Sequence, residues 1–220
     1  MPNPRAVVLD MDGLMFNTEE IYTLVGIDLL GRRGCSFSDE LKDQIMGLRP
    51  QATFEAMIRW HKLDESWEEL ARESNRIFAG LLDEHLAPLP GLFELLVVLE
   101  RSEIPKAIAT SSCRELAEAC LRPFELGSRF EFILTAEDVT RGKPDPEIYL
   151  AAAKRLGLRP PETMVLEDSE NGCRAAASAG AFTVAVPGEH SRGQDFSVAS
   201  LVVDSLADAR LYEALGMGAA

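Results

Sequence analysis

Ala6-Val7-Val8-Leu9-Asp10-Met11-Asp12-Gly13-Leu14 is the stretch on which the reading of this chain turns. Its first four residues form a continuous apolar run, rich in Val and ending abruptly in an acid. Such a run suits a strand buried on both faces of a parallel sheet. Asp10 and Asp12 follow at the strand exit. In extended backbone, residues two apart face the same side. Two acids facing one way repel each other unless a cation lies between them. Mg²⁺ favours oxygen ligands and takes one or two protein carboxylates alongside phosphate oxygens. Gly13 allows the chain to turn sharply away. An Asp-Gly turn with no further role is the alternative at this point.

Similar apolar runs recur at Ala107–Ala109, Phe132–Leu134, Met164–Leu166, Phe182–Val186 and Leu201–Val203. Helical patterns separate them at Leu92–Arg101, Arg114–Phe124, Glu147–Leu156 and Gly172–Ala179. Strands alternating with helices predict an α/β fold, a doubly wound, Rossmann-like and mostly parallel sheet. One gap breaks the rhythm, because the first strand ends near Asp10 and the next begins near Lys106. A βαβ crossover needs only about 30 residues. The intervening stretch reads as helices over Glu19–Leu30, Asp39–Met46, Gln51–Trp60 and Trp67–Leu82, with Ser38-Asp39 and Pro50 as start signals and Gly47 as a stop. We expect an inserted α-helical cap domain at residues 17–86 and an α/β catalytic core at 1–16 and 87–220. The two chain crossings, near Phe16–Thr18 and His85–Leu89, would form the hinge.

Three further signals fall after strands, where open α/β sheets bind ligands. Thr110-Ser111-Ser112 puts three hydroxyls between a strand and a helix start, which favours an anion, although N-capping explains Ser there equally. Gly142-Lys143-Pro144-Asp145-Pro146 places a Lys before a helix N-terminus, against the macrodipole, so a neighbouring anion is expected. Leu166-Glu167-Asp168-Ser169 ends another strand in two acids that could complete a Mg²⁺ site; Asp168 as a helix cap is the alternative. The set supplies a nucleophile, metal ligands, hydroxyl donors and a cation, which phosphoryl transfer requires.

Composition narrows the partners. The 220 residues include 22 Lys and Arg against 36 Asp and Glu, a formal net charge of −14. That balance disfavours nucleic acid, and it makes the few basic residues near the candidate site more informative. No apolar run approaches the ~18 residues of a membrane span, and the five residues before the first strand are too few for a signal segment. Cys35, Cys113, Cys120 and Cys173 form no C-x-x-C pair and read as free thiols. A cytoplasmic monomer, with no membrane or nucleic-acid partner, is the expectation. Trp60, Trp67 and Phe78 read as packing between cap helices. His61, His85 and His190 are scattered and read as structural or solvated.

In this order the four segments resemble the haloacid dehalogenase superfamily of phosphotransferases, and the helical insertion resembles the cap of its β-phosphoglucomutase-like branch. The resemblance covers essentially the whole chain. It implies that Asp10 attacks phosphorus and forms an aspartyl-phosphate. Asp12 would protonate the leaving oxygen and then activate water, its backbone carbonyl also ligating Mg²⁺. Thr110 and the Ser111 backbone N–H would hold the transferring group, and Lys143 would neutralise both Asp10 and the phosphate. Asp168 would ligate Mg²⁺, with Glu167 beside it or acting through water. An acid at Asp12 implies a phosphate monoester, because members that release halide or cleave C–P bonds lack one there.

Two departures bear on the reaction. The mutases of that branch carry a cap His where Tyr22 stands here, and Asn17 replaces the commoner hinge Asp. Arg49, in Gly47-Leu48-Arg49-Pro50, is the candidate cap contact to substrate; a solvated helix-start Arg is the alternative. The expected activity is a Mg²⁺-dependent phosphatase acting on a small phosphorylated metabolite. A sugar-phosphate mutase is the second reading. A non-enzymatic, phospho-accepting regulatory domain is the third, disfavoured by Asp12 and the inserted helices.

Overall fold

Six parallel strands form one sheet in the order β3-β2-β1-β4-β5-β6 in the computed structural model, which describes residues 4–45, 48 and 50–217. The strands are β1 (Ala6–Leu9), β2 (Lys106–Ala109), β3 (Ile133–Leu134), β4 (Thr163–Glu167), β5 (Phe182–Ala185) and β6 (Leu201–Val202). All four residues of β1 are buried, as the apolar run requires of a central strand. Val8 pairs with Ala107 on one side and Val165 on the other. The strand order reverses beside β1, so the crevice at its carboxyl end is the expected ligand position.

The helices are α1 (Thr18–Gly31), α2 (Asp39–Ile45), α3 (Pro50–His61), α4 (Trp67–His85), α5 (Leu92–Arg101), α6 (Arg114–Leu121), α7 (Glu147–Arg155), α8 (Glu170–Ala179) and α9 (Ala209–Ala214). Two boundaries differ from the sequence pattern for clear reasons. The helix expected to run to Phe124 stops at Leu121 and tightens into a 3₁₀ turn over Arg122–Phe124, where Pro123 has no N–H to continue the α ladder. α8 starts at Glu170, because Ser169 caps it by accepting from Gly172 N at 3.1 Å. Asp168 is therefore not the cap. α9 has no counterpart among the expected elements, and the Gly47 stop lies outside the described residues.

The chain divides into two compact units, residues 1–17 with 87–220, and residues 18–86. In the first, the two chain crossings are zipped together. Leu89 N donates to Met15 O at 2.8 Å and Asn17 N to Ala87 O at 3.1 Å. The Asn17 carboxamide oxygen accepts from Ala87 N at 2.7 Å, which ties Asn17 to this unit. In the helical unit, α1 packs on α4, and Tyr22 lays its ring 4.6 Å from Phe78. Arg33 grips Glu65 through two nitrogens at 2.6 and 2.9 Å and reaches Glu73 at 2.7 Å. Phe78 is buried as expected of packing, whereas Trp60 is 46% exposed and does not pack between helices. All four cysteines are free thiols. Among the described residues no helix is long and apolar enough to cross a membrane.

Candidate active site

Four strand-to-helix junctions deliver one set of polar side chains into the carboxyl end of the sheet. Asp10 leaves β1 5% exposed, and Gly13 turns the chain away with φ +71°. Lys143, on the loop before α7, reaches the same point from the side and is 9% exposed. Its ammonium donates to Asp10 Oδ1, to Glu167 Oε1 at 2.6 Å and to Ala109 O at 3.0 Å. All three ammonium protons therefore have acceptors. The conflict between Lys143 and the α7 macrodipole is answered by these two carboxylates.

Glu167 and Asp168 end β4 with 0% and 8% exposure. Glu167 is fully engaged with protein donors. Oε1 accepts from Lys143 Nζ and from Tyr149 Oη at 2.7 Å. Oε2 accepts from Ser169 N at 3.1 Å and Ser169 Oγ at 2.9 Å. Four donors fill the lone-pair positions of a carboxylate.

Asp12 lies beside Asp10, with Oδ2 accepting from Thr110 Oγ1 at 2.9 Å and Ser112 Oγ at 2.8 Å. Asp12 Oδ1 is buried without a hydrogen-bond partner. Thr110 is 0% exposed, and its hydroxyl proton is directed at Asp12 while its oxygen accepts from Ser112 N at 3.0 Å. In this arrangement Thr110 orients Asp12, and Ser111 is the exposed residue of the loop. Arg49 lies outside the described residues.

The electrostatics call for a further cation. Lys143 pairs with Asp10 and Glu167, while Asp168 shares their cluster and Asp12 adds negative charge beside Asp10. Burial pushes the Asp10 carboxyl well above the usual carboxylate range, and the neighbouring Glu167 and Asp12 add to that, against the pull of Lys143. Lys143 is held firmly protonated by Asp10 and Glu167 despite its burial. One carboxylate oxygen each from Asp10, Glu167 and Asp168 lies within 4.8 Å of the others. An oxygen-rich, acid-dominated cluster of this size fits a small divalent cation. Because Glu167 already has four donors, Asp10 and Asp168 are the acids best able to hold one.

Residues 7–186 match the profile of the family described as "Haloacid dehalogenase-like hydrolase". The chain belongs to the haloacid dehalogenase-like hydrolases. It is 37% identical over 207 residues to the Drosophila melanogaster protein named "Probable pseudouridine-5'-phosphatase", covering 91% of this chain and 89% of that one. It is 29% identical over 215 residues to the β-phosphoglucomutase of Bacillus subtilis, covering 94% and 92%. The crystal structure of a CbbY mutant from Rhodobacter sphaeroides in complex with xylulose-(1,5)bisphosphate superposes with a TM-score of 0.84, at 26% identity, over 94% of this chain and 96% of that one. The hydrolase thus sits among β-phosphoglucomutase-like members of the family, as its four motifs and inserted helices suggested.

Two residues of this hydrolase's cluster had no signal strong enough to single them out. Tyr149 sits on α7 beside Ile148 and reads as an ordinary core aromatic. Gly172 reads as part of a helix start, yet a β-carbon there would fall 1.7 Å from Glu167 Oε1.

Proposed function

We propose that this hydrolase is a Mg²⁺-dependent phosphatase of small phosphate monoesters, sugar phosphates or similar metabolites, working through an aspartyl-phosphate on Asp10. The observation that carries the reading is the pairing of two unlike acids at the end of β1. Asp10 is ion-paired with Lys143, whereas Asp12 keeps one buried oxygen without a donor. An acid placed beside the nucleophile is positioned to give a proton to the ester oxygen. Asp10 then attacks phosphorus, the bond from phosphorus to the ester oxygen breaks, and the Asp12 proton passes to that oxygen. Water next attacks the acyl phosphate and gives its proton back to Asp12, so inorganic phosphate leaves and Asp10 is restored. Splitting one displacement into two suits a carboxylate nucleophile, and a placed acid contributes roughly 10²–10⁴-fold.

Mg²⁺, held by Asp10, Asp168 and the Asp12 backbone carbonyl, would neutralise the charge of the transferring group. Lys143 holds the Asp10 carboxylate and faces the same charge. Thr110 and Ser112 fix the Asp12 carboxylate, leaving Ser111 as the loop's donor to phosphate. The family resemblance implies that residues 18–86 would act as a cap, and excluding bulk water is a usual role for such lids. Arg49 is our candidate for a substrate contact from that cap.

The β-phosphoglucomutase relative supports a second reading, in which the phosphoryl group returns to a sugar. Tyr22, at the position of the mutase His, packs its ring on Phe78 and offers no base, which favours water as acceptor. A panel of phosphorylated sugars, nucleotides and small metabolites with Mg²⁺, run beside Asp10→Asn, tests the reading. Steady phosphate release that Asp10→Asn abolishes is expected. Full activity in Asp10→Asn would sink the reading, and dependence on a bisphosphate primer with little phosphate release would favour the mutase.

A further inference from the structure

We infer that Tyr149 is a positioning residue of the phosphoryl-transfer site, acting on Lys143 through Glu167; this rests on the phosphatase reading above. Tyr149 does not reach Asp10. Its hydroxyl donates to Glu167 Oε1 at 2.7 Å, the oxygen that also takes Lys143 Nζ at 2.6 Å. Its ring lies 5.1 Å from the same ammonium. Tyr149 is 2% exposed and belongs to the buried cluster that includes Val8, Ala109, Ile148, Ala152, Val165 and Ala176, which holds the ring in place.

The consequence is electrostatic. Lys143 is shared between Asp10 and Glu167, and both compete for one ammonium. The Tyr149 hydroxyl partly satisfies Glu167, so less of the Glu167 charge draws on Lys143. More of the ammonium field is then left for Asp10 and for the charge that develops as the phosphoryl group transfers. Tyr149→Phe keeps the packed ring and removes the one proton. Glu167 Oε1 is then served by Lys143 alone, deep in a medium where a lost donor is costly. Lys143 is drawn away from Asp10, and the step that needs Asp10 and Lys143 together slows. Substrate contacts made elsewhere are untouched, so the change falls on kcat and not on KM.

The experiment is a double-mutant cycle on the full chain with p-nitrophenyl phosphate and saturating Mg²⁺. Tyr149→Phe should lower kcat about tenfold with KM within about twofold of wild type. In a Glu167→Gln background the same change should cost less than about twofold, because the group through which Tyr149 acts is gone. Mg²⁺ affinity by calorimetry, in the absence of substrate, should be unchanged by Tyr149→Phe. Multiplicative losses in the double mutant, wild-type kcat in Tyr149→Phe, or a loss confined to KM would each overturn the inference. Should Tyr149→Phe fail to fold, the wild-type hydroxyl is read directly: a slowly exchanging downfield NMR line that vanishes in Glu167→Gln is expected, and its absence from wild type overturns the contact. Asp10→Asn separates the two levels. Turnover surviving in Asp10→Asn defeats the phosphatase reading, whereas turnover lost there with an additive cycle defeats only the role of Tyr149.

Discussion

Replacing Gly172 by alanine puts a methyl group where the Glu167 carboxylate already is. The new β-carbon would lie 1.7 Å from Oε1, 1.8 Å from Cδ and 2.2 Å from Oε2. A β-carbon essentially never approaches another heavy atom closer than 3.0 Å, so the carboxylate must retreat by about 1.3 Å. Glu167 is fully buried and holds four donors from Lys143, Tyr149 and Ser169. A retreat of that size breaks at least two of them. Hydrogen bonds to charged groups contribute roughly 1.5–3 kcal/mol each, for a loss of about 3–6 kcal/mol. Alanine in a helix recovers only about 0.5–1 kcal/mol relative to glycine. The net expectation is a destabilisation of about 2–5 kcal/mol, read by urea unfolding with linear extrapolation. Turnover should change as well, because Lys143 is held between Asp10 and the displaced Glu167 carboxylate. Gly80→Ala is the internal control: Gly80 lies in α4 with nothing within 4 Å of its β-carbon, so this change should stabilise by about 0.5–1 kcal/mol. A Gly172→Ala protein as stable and active as wild type would refute the reasoning about the packed carboxylate.

Three further outcomes follow from other parts of the molecule. Glu100 bonds Arg129 and Lys106, which hold its carboxyl down to about 2 from an ordinary 4.5. A depressed acid stabilises above its unfolded pKa and loses that contribution as pH falls from about 4.5 toward 2; with Glu100 39% exposed, screening leaves about 1 kcal/mol. The stability gap between wild type and Glu100→Gln should therefore narrow below pH ~4, and an unchanged gap at low pH would count against it. Arg33→Met, which removes contacts to Glu65, Glu73 and Leu29 O, should cost about 2–3 kcal/mol in thermal unfolding, and a cost under about 0.5 kcal/mol would contradict the packing described. Asn17→Ala removes the acceptor for Ala87 N and should cost about 1 kcal/mol, whereas Asn17→Asp keeps the acceptor and should stay near wild type in urea unfolding; equal losses in both would show that the acceptor is not what matters.

The parts of the site legible in the sequence were those at the ends of buried strands. β1 and β4 are continuous apolar runs, so the acids that break them stand out, and Lys143 stood out because its place before α7 is electrostatically awkward. Side chains whose importance depends on what a distant element brings were not legible. Tyr149 looks like core until β4 presents Glu167 to its hydroxyl. Thr110 reads as a phosphate donor, and only the fold shows that its hydroxyl also donates to Asp12. Gly172 looks like a helix-start residue until Glu167 is found in the space a side chain would fill. In the fold, Pro123 shortened α6 in a way that periodicity alone passed over. α9 escaped notice because its six residues bury only Leu211, too few to set up a 3.6-residue stripe.

The central claim is that Asp10 carries the phosphoryl group, and a single-turnover quench tests it most directly. The enzyme is mixed with Mg²⁺ and a phosphate ester labelled in its phosphoryl group, quenched in acid within one turnover, and digested for peptide mapping. The account predicts label on the peptide that contains Asp10, released by hydroxylamine as an acyl phosphate should be, and absent in Asp10→Asn. Turnover with no labelled protein at any quench time, or label on Thr110 or Ser111 instead, would contradict it.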